Sequence, residues 1–279
     1  MRVYVSVDME GLAGVAHPRQ VSFGEGVDRT DYDRSRALMA GEANAAIEGA
    51  FEAGAREVVV NDSHWQMRNL RAEDLVPAAR LIIGDKPMSM TEGIGEGDPF
   101  DAALFIGYHA GAGDASGTIA HTYSSATVME VRANGEPHNE AALNALRLGH
   151  HGVPVALVAG DDALAAEVEE RLPWAERVIV KRGRGYSAAD SLSPEEARAA
   201  IRTAARHALG RLREMRPYRL PAPIRGEIDF RLSMQAAYAA VLPEAERIGP
   251  RTVAWTAEDG EAFFRRFIVL QRLAGTPGL

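Results

Sequence analysis

The stretch RVYVSVDMEG, residues 2–11, decides how the rest of the chain is read. Its first half is a short run rich in Val and Tyr, the pattern of a buried strand. The run then gives way to Asp8, Glu10 and Gly11. Two carboxylates two residues apart at a strand end serve either as solvated surface groups or as the start of a metal site.

Similar runs recur downstream. EVVVND (57–62), ARLIIGD (79–85), AALFIGYH (102–109), VPVALVAGD (153–161) and RVIVKRG (177–183) read as further strands. The Ala-rich segment 32–54 is an amphipathic helix with Gly54 as its stop, and 139–149 is a second helix. TVMEVRANG (127–135) reads as a strand entering a turn at Asn134-Gly135. Strands alternating with helices predict an α/β fold, a three-layer domain on a largely parallel sheet. After about residue 185 the pattern changes. Ser193 and Pro194 open one long helix over 193–215. A Pro-rich connector (218–226), the strands EIDFRL and TVAWT with a short helix between them, and a final helix (259–274) follow. The expectation is a metal-binding catalytic α/β domain over 1–188 and a smaller α+β domain over 189–279, closely packed because no long linker intervenes.

The 279 residues are 46% hydrophobic and 25% charged, the balance of a globular protein with a sizeable core. There is no cysteine, so disulfides and thiolate ligands are excluded, and a metal site must use His, Asp and Glu. A formal charge of −8 argues against a nucleic-acid partner, which calls for a basic surface. No apolar run approaches the roughly 18 residues of a membrane helix. With a strand at the very start there is no room for a signal peptide, and a cytoplasmic location is expected.

Position gives the polar residues their interest. Asp8 and Glu10 follow the first strand, and Asn61, Asp62, Ser63 and His64 lie at the end of the second. Tyr108 and His109 close LFIGYH, and Asp161 and Asp162 close VALVAG. In open α/β sheets, ligands bind outside the carboxyl ends of the strands, so parallel strands would gather these groups along one edge. Each has a plainer reading. Asp62 and Ser63 serve equally as caps or turn residues, and a single His as a packed or solvated side chain. Together, two carboxylates and two histidines make a donor set suited to Zn2+, Mn2+ or Co2+. The Gly-rich stretch HAGAGDASGTIAHTY (109–123) lacks dinucleotide-binding spacing, and no GxxxxGK[ST] occurs. It reads as a loop carrying His121 toward the same edge.

In these residues the chain resembles the DppA-type D-aminopeptidases, a family of zinc-dependent peptidases, along nearly its whole length. The likeness rests on SVDMEG (6–11), NDSH (61–64), GYHA (107–110), GTIAHT (117–122), NGEPHNEAALNA (134–145) and VAGDD (158–162), in this order. It implies two zinc ions per chain, with ligands at Asp8, Glu10, His64, His109 and Glu140, and a catalytic His121. It also implies hydrolysis of short peptides with an N-terminal D-amino acid, such as D-alanyl peptides, and a ring-shaped homo-oligomer. Asn139 stands where the family usually has Gly, and His138 where an apolar residue is common. Glu136 competes for the last ligand position, but Glu140 keeps its spacing to Asn144 and to the helix. His138 reads as a loop histidine or as an additional weak ligand.

Peptide hydrolysis needs an activated water, stabilisation of the tetrahedral intermediate and a proton for the leaving amine. Two metals bridged by a carboxylate supply the first two, and Asp8 is expected as the bridge. His121 is suited to proton transfer or to steadying the oxyanion, and Asp62 and Asp161 to orienting ligand histidines. Three rival readings use the same residues. A binuclear hydrolase of another class, such as a phosphoesterase, would want basic groups for phosphate, and the core motifs hold none. A non-catalytic peptide-binding protein would normally be exported. A structural zinc is four-coordinate and closed, whereas five candidates point to two ions with open positions.

Overall fold

In the computed structural model, which describes residues 1–24 and 29–276, the opening run forms β1 (Arg2–Val7), buried throughout. There follow α1 (Thr30–Glu52), β2 (Glu57–Asp62), β3 (Ala79–Ile82), β4 (Ala102–Tyr108), β5 (Val128–Ala133) and β6 (Glu136–Pro137). The middle of the chain forms α2 (Glu140–His150), β7 (Val155–Asp161), α3 (Asp162–Arg171), β8 (Glu176–Gly183), β9 (Ala189–Ser191) and α4 (Pro194–Gly210). The last elements are β10 (Ile224–Phe230), α5 (Ser233–Ala239), β11 (Ala245–Arg247), β12 (Thr252–Ala257) and α6 (Gly260–Ala274). The helix expected to run to 215 ends at Gly210, where a residue of poor helix propensity precedes a 3-10 turn.

Seven strands form one sheet in the order β3-β2-β1-β4-β7-β8-β9, parallel except for β9. Successive side chains of a strand point to opposite faces. Val3, Val5 and Val7 accordingly join a core with residues of α1 and α4, and Tyr4 joins a second core with residues of α2 and α3. These are the three expected layers of an α/β fold.

The second sheet is antiparallel, in the order β11-β12-β10-β5-β6. Its core includes Phe263, Phe264 and Phe267 of α6. Helix α2 serves both sheets: Ala141, Ala145 and Leu148 pack in the core of the first, Leu143 and Leu146 in that of the second. The division between the sheets does not fall at residues 188/189. β5, well before that point, pairs with β10, and α4, after it, packs with α1 on the parallel sheet. The physical reason is that β5 and β6 form a hairpin whose partner strand arrives about ninety residues later, through Val131 opposite Ile228.

Candidate metal centre

The strand order reverses beside β1: β2 and β3 extend the sheet one way, and β4, β7 and β8 the other. A crevice at the carboxyl ends of β1 and β4 is where such a sheet offers a ligand site. Asp8 follows β1 there and His109 follows β4.

The turn after β1 lies directly on the end of β4. Gly11 donates its amide to the Gly107 carbonyl at 2.8 Å. A Cβ on Gly11 would stand 1.7 Å from the Tyr108 carbonyl oxygen, so only glycine fits. The turn is held from below by two buried side chains of distant sequence. Lys181 of β8 donates to the carbonyls of Glu10 and, at 2.6 Å, Val15. Glu42 of α1 accepts the Ala13 amide at 2.8 Å.

The candidate donors converge. Asp8 Oδ1 lies 3.2 Å from His64 Nδ1, and Asp8 Oδ2 lies 3.5 Å from His109 Nε2. Glu10 Oε2 is 2.8 Å from His64 Nδ1, without the alignment of a hydrogen bond. Glu140 Oε1 is 3.5 Å from His109 Nε2 and accepts the Tyr123 amide at 2.6 Å. Glu140 opens α2, where the helix dipole favours a negative charge. His121 stacks on His109, ring centroids 4.2 Å apart, with Nε2 3.9 Å from Glu140 Oε1 and 4.0 Å from Glu10 Oε1. All five expected ligands and His121 therefore meet in one cluster.

Each histidine has one nitrogen fixed by a backbone carbonyl and the other turned inward. His64 Nε2 meets the Val21 carbonyl at 2.5 Å, His109 Nδ1 that of Ala110 at 2.9 Å, and His121 Nδ1 that of Ile119 at 2.8 Å. Such bonds fix the tautomer of a ligating imidazole. His121 is further constrained by its neighbours: Ile119 and Tyr123 both take left-handed backbone, φ 54° and 61°, a conformation uncommon outside glycine and often kept at functional sites.

The cluster fits a divalent ion. His109 Nε2 and Glu10 Oε2 are buried with no hydrogen-bond partner, a costly state that an ion would relieve. Donor atoms of Asp8, Glu10 and His109 lie within 4.8 Å of one another, as do those of His109, His121 and Glu140. Electrostatics agree. Burial, then the neighbouring Glu10 carboxylate, push Asp8 well above the ordinary carboxylate range. Burial opposes ionisation of Glu10, but His64 outweighs it and holds Glu10 well below that range. Burial, with His121 beside it, lowers His109 to about 3, so its ring is neutral and free to ligate.

The remaining candidates have other duties. Asp62 accepts the amides of Asn69 and Leu70 at 2.5 and 2.8 Å, anchoring the loop that carries His64 rather than its ring. Asp161 caps α3 through Leu164 and holds the Thr118 amide at 2.9 Å, anchoring the His121 loop. His138 bonds the Tyr218 hydroxyl at 2.9 Å and lines a separate cavity. Glu136 is 70% exposed and faces Arg171. Neither joins the cluster.

A cavity of about 770 Å3 opens over the cluster, lined by Asp8, Glu10, His64, His121 and Glu140 and, on other walls, by Trp65, Lys86 and Arg272. Among the described residues no helix is long and apolar enough to cross a membrane.

Known proteins match this chain in sequence and in fold. The protein-family model Peptidase M55, described as D-aminopeptidase, matches residues 1–269. A D-aminopeptidase of Bacillus subtilis (strain 168) is 38% identical over 276 residues, 98% of each chain. A solved structure described as the Zn-dependent D-aminopeptidase DppA from Bacillus subtilis, a self-compartmentalizing protease, superposes with a TM-score of 0.93 at 37% identity, covering all of both chains. With a family match over nearly its whole length, a fold shared end to end and a donor cluster at the switch point of its sheet, this chain belongs to the D-aminopeptidase family, Peptidase M55.

Proposed function

We propose that this chain is a zinc aminopeptidase that removes an N-terminal D-amino acid from short peptides, D-alanyl peptides among them, with two ions per chain held by Asp8, Glu10, His64, His109 and Glu140. The observation that carries this is the pose of Asp8: one carboxylate oxygen faces His64 and the other faces His109, as a bridging ligand requires. A pair of divalent ions supplies Lewis acidity and the charge that makes a nearby water nucleophilic at neutral pH.

The chain's own groups do the rest. Glu10 lies beside His64 and Glu140 beside His109, where their negative charge would balance the cations. With Nδ1 committed to the Ile119 carbonyl, His121 presents Nε2 to the cavity. From there it can take a proton during attack and return it to the leaving amine, or donate to the developing oxyanion. The self-compartmentalizing relative supports a ring of subunits around the sites. Action in the cytoplasm completes the reading.

The test is zinc content and hydrolysis measured on the same protein. Two zinc ions per chain and faster cleavage of D-alanyl-D-alanine than of L-alanyl-L-alanine are expected. His121→Ala should keep both ions while kcat falls about 10²- to 10⁴-fold and KM changes far less. Loss of metal in that variant would make His121 a ligand, and an unchanged kcat would make it a packed loop residue. Turnover of phosphoesters in place of D-peptides would overturn the proposal.

A further inference from the structure

The cavity lining carries groups of both charges. Asp8, Glu10 and Glu140 line it with His64 and His121. Lys86 and Arg272 line it as well, the only Lys and Arg that do so among the described residues. Lys86 is 6% exposed. Its ammonium donates to the Asn61 side-chain oxygen at 2.7 Å and to the Asp62 carbonyl at 2.5 Å. Arg272, exposed near the end of α6, donates to the Lys86 carbonyl at 2.6 Å. Every acceptor on these two cations is a neutral oxygen, and neither pairs with a carboxylate among the described residues. Asp85 also lines the cavity beside Lys86 without bonding it.

An ammonium has three donors, and Lys86 uses two. A buried cation with an open donor is costly unless an anion completes it, and the nearby Asp62 and Glu92 carboxylates act on Lys86 only through space. Burial brings this ammonium down to about 8, so it is still charged at pH 7. Lys86 is tethered to Asp62, two residues along the chain from His64, so the ammonium and the donor cluster open on the same cavity.

We infer that Lys86, with Arg272 outside it, binds the terminal carboxylate of the substrate, which makes the site selective for short peptides with a free C-terminus. This rests on the peptidase reading above and adds the group that measures the peptide's far end. Longer peptides that carry their carboxylate past Lys86, and peptide amides, lose that contact.

The experiment compares kcat/KM of the zinc-loaded full chain on D-alanyl-D-alanine and on D-alanyl-D-alaninamide. The wild-type ratio of acid to amide should be about 10 to 100, the range of a hydrogen bond to a charged group. Lys86→Met should bring the ratio close to one. Arg272→Gln, at an exposed position, should lower it about two- to fivefold. Calorimetry should also show N-acetyl-D-alanine, which has the carboxylate but no free amine, binding the wild type more tightly than its amide. A wild-type ratio near one, or a ratio that Lys86→Met leaves unchanged, overturns the inference while the peptidase reading stands. Cleavage of neither peptide overturns both.

Discussion

In the seven-stranded sheet, β1, β4 and β7 are buried from end to end, whereas in the five-stranded sheet β5 and β10 alternate buried and open positions. The first pattern needs cover on both faces and receives it from α1 and α4 on one side, α2 and α3 on the other. The second needs one covered face, and α5 and α6 provide it. The difference has a functional consequence. Parallel strands all end on the same side, so loops far apart in sequence converge there with Asp8, His64 and His109. Antiparallel strands end alternately on opposite sides and bring no such group of loops together. The second sheet therefore contributes a scaffold, and reaches the cavity mainly through Gln271 and Arg272 of α6.

The largest effect should separate chemistry from stability at the parallel edge. Asp8→Asn removes the carboxylate that faces both histidines. Zinc content should fall by at least one ion per chain and peptide hydrolysis to background. Compared metal-free with metal-free, the variant should not melt at a lower temperature than wild type, because three carboxylates crowded in a dry cluster repel one another. A melting temperature well below that of metal-free wild type would mean that the cluster stabilises the fold, and the contrast between the two sheets would fail.

Phe263→Ala makes the opposite test. Phe263 is fully buried against Trp255, ring centroids 5.0 Å apart, in the second core. Its loss should cost about 3–5 kcal/mol of stability, read from urea unfolding. Zinc bound per folded chain should stay at the wild-type level. Metal loss comparable to that of Asp8→Asn would show that the two sheets act as one unit at the site.

This division explains what could be read from the sequence. A parallel strand ending in a polar cluster is a local signal, and Asp8, Glu10, His64 and His109 each stand at such an end. Glu140 needed the family resemblance, since a helix start carries no direction of its own; His121 reads as a loop residue near that edge, and only its catalytic role needed the resemblance. TVMEVRANG reads as a strand with its Asn134-Gly135 turn, and both residues take positive φ. Nothing local tells that its partner is β10. Lys181 is the clearest omission. A lysine late in a strand looks solvent-facing, yet it is buried under carbonyls about 170 residues away in sequence. The carbonyl of Val21 that fixes His64 is beyond any side-chain pattern, because a backbone acceptor has the same chemistry in every residue. Asp62 and Asp161 were legible as functional in place but not in detail, since capping and ring orientation use the same carboxylate.

The smallest effect concerns the seam between the sheets. Arg147 of α2 reaches Glu261 in the first turn of α6 at 2.8 Å and also donates to the carbonyls of Thr91 and Ile94. His151 and Arg265 bond the same carboxylate at 3.0 and 2.7 Å. Burial alone would raise Glu261, but these hydrogen bonds outweigh it and hold the carboxyl at about 2. The folded value lies below the unfolded one of about 4.3, so the seam's contribution is complete above that pH and is lost as pH falls toward 2. Its size is at most about 3 kcal/mol. Urea unfolding of wild type and Glu261→Gln should therefore differ most at pH 7 and converge near pH 2. The two proteins share every other carboxylate, including those of the donor cluster, so the pH dependence of their difference isolates this one. A gap that stays constant from pH 7 to pH 2 would mean that Glu261 joins the sheets by its shape and not by its charge. The seam would then be as insensitive to protons as the apolar core beside it.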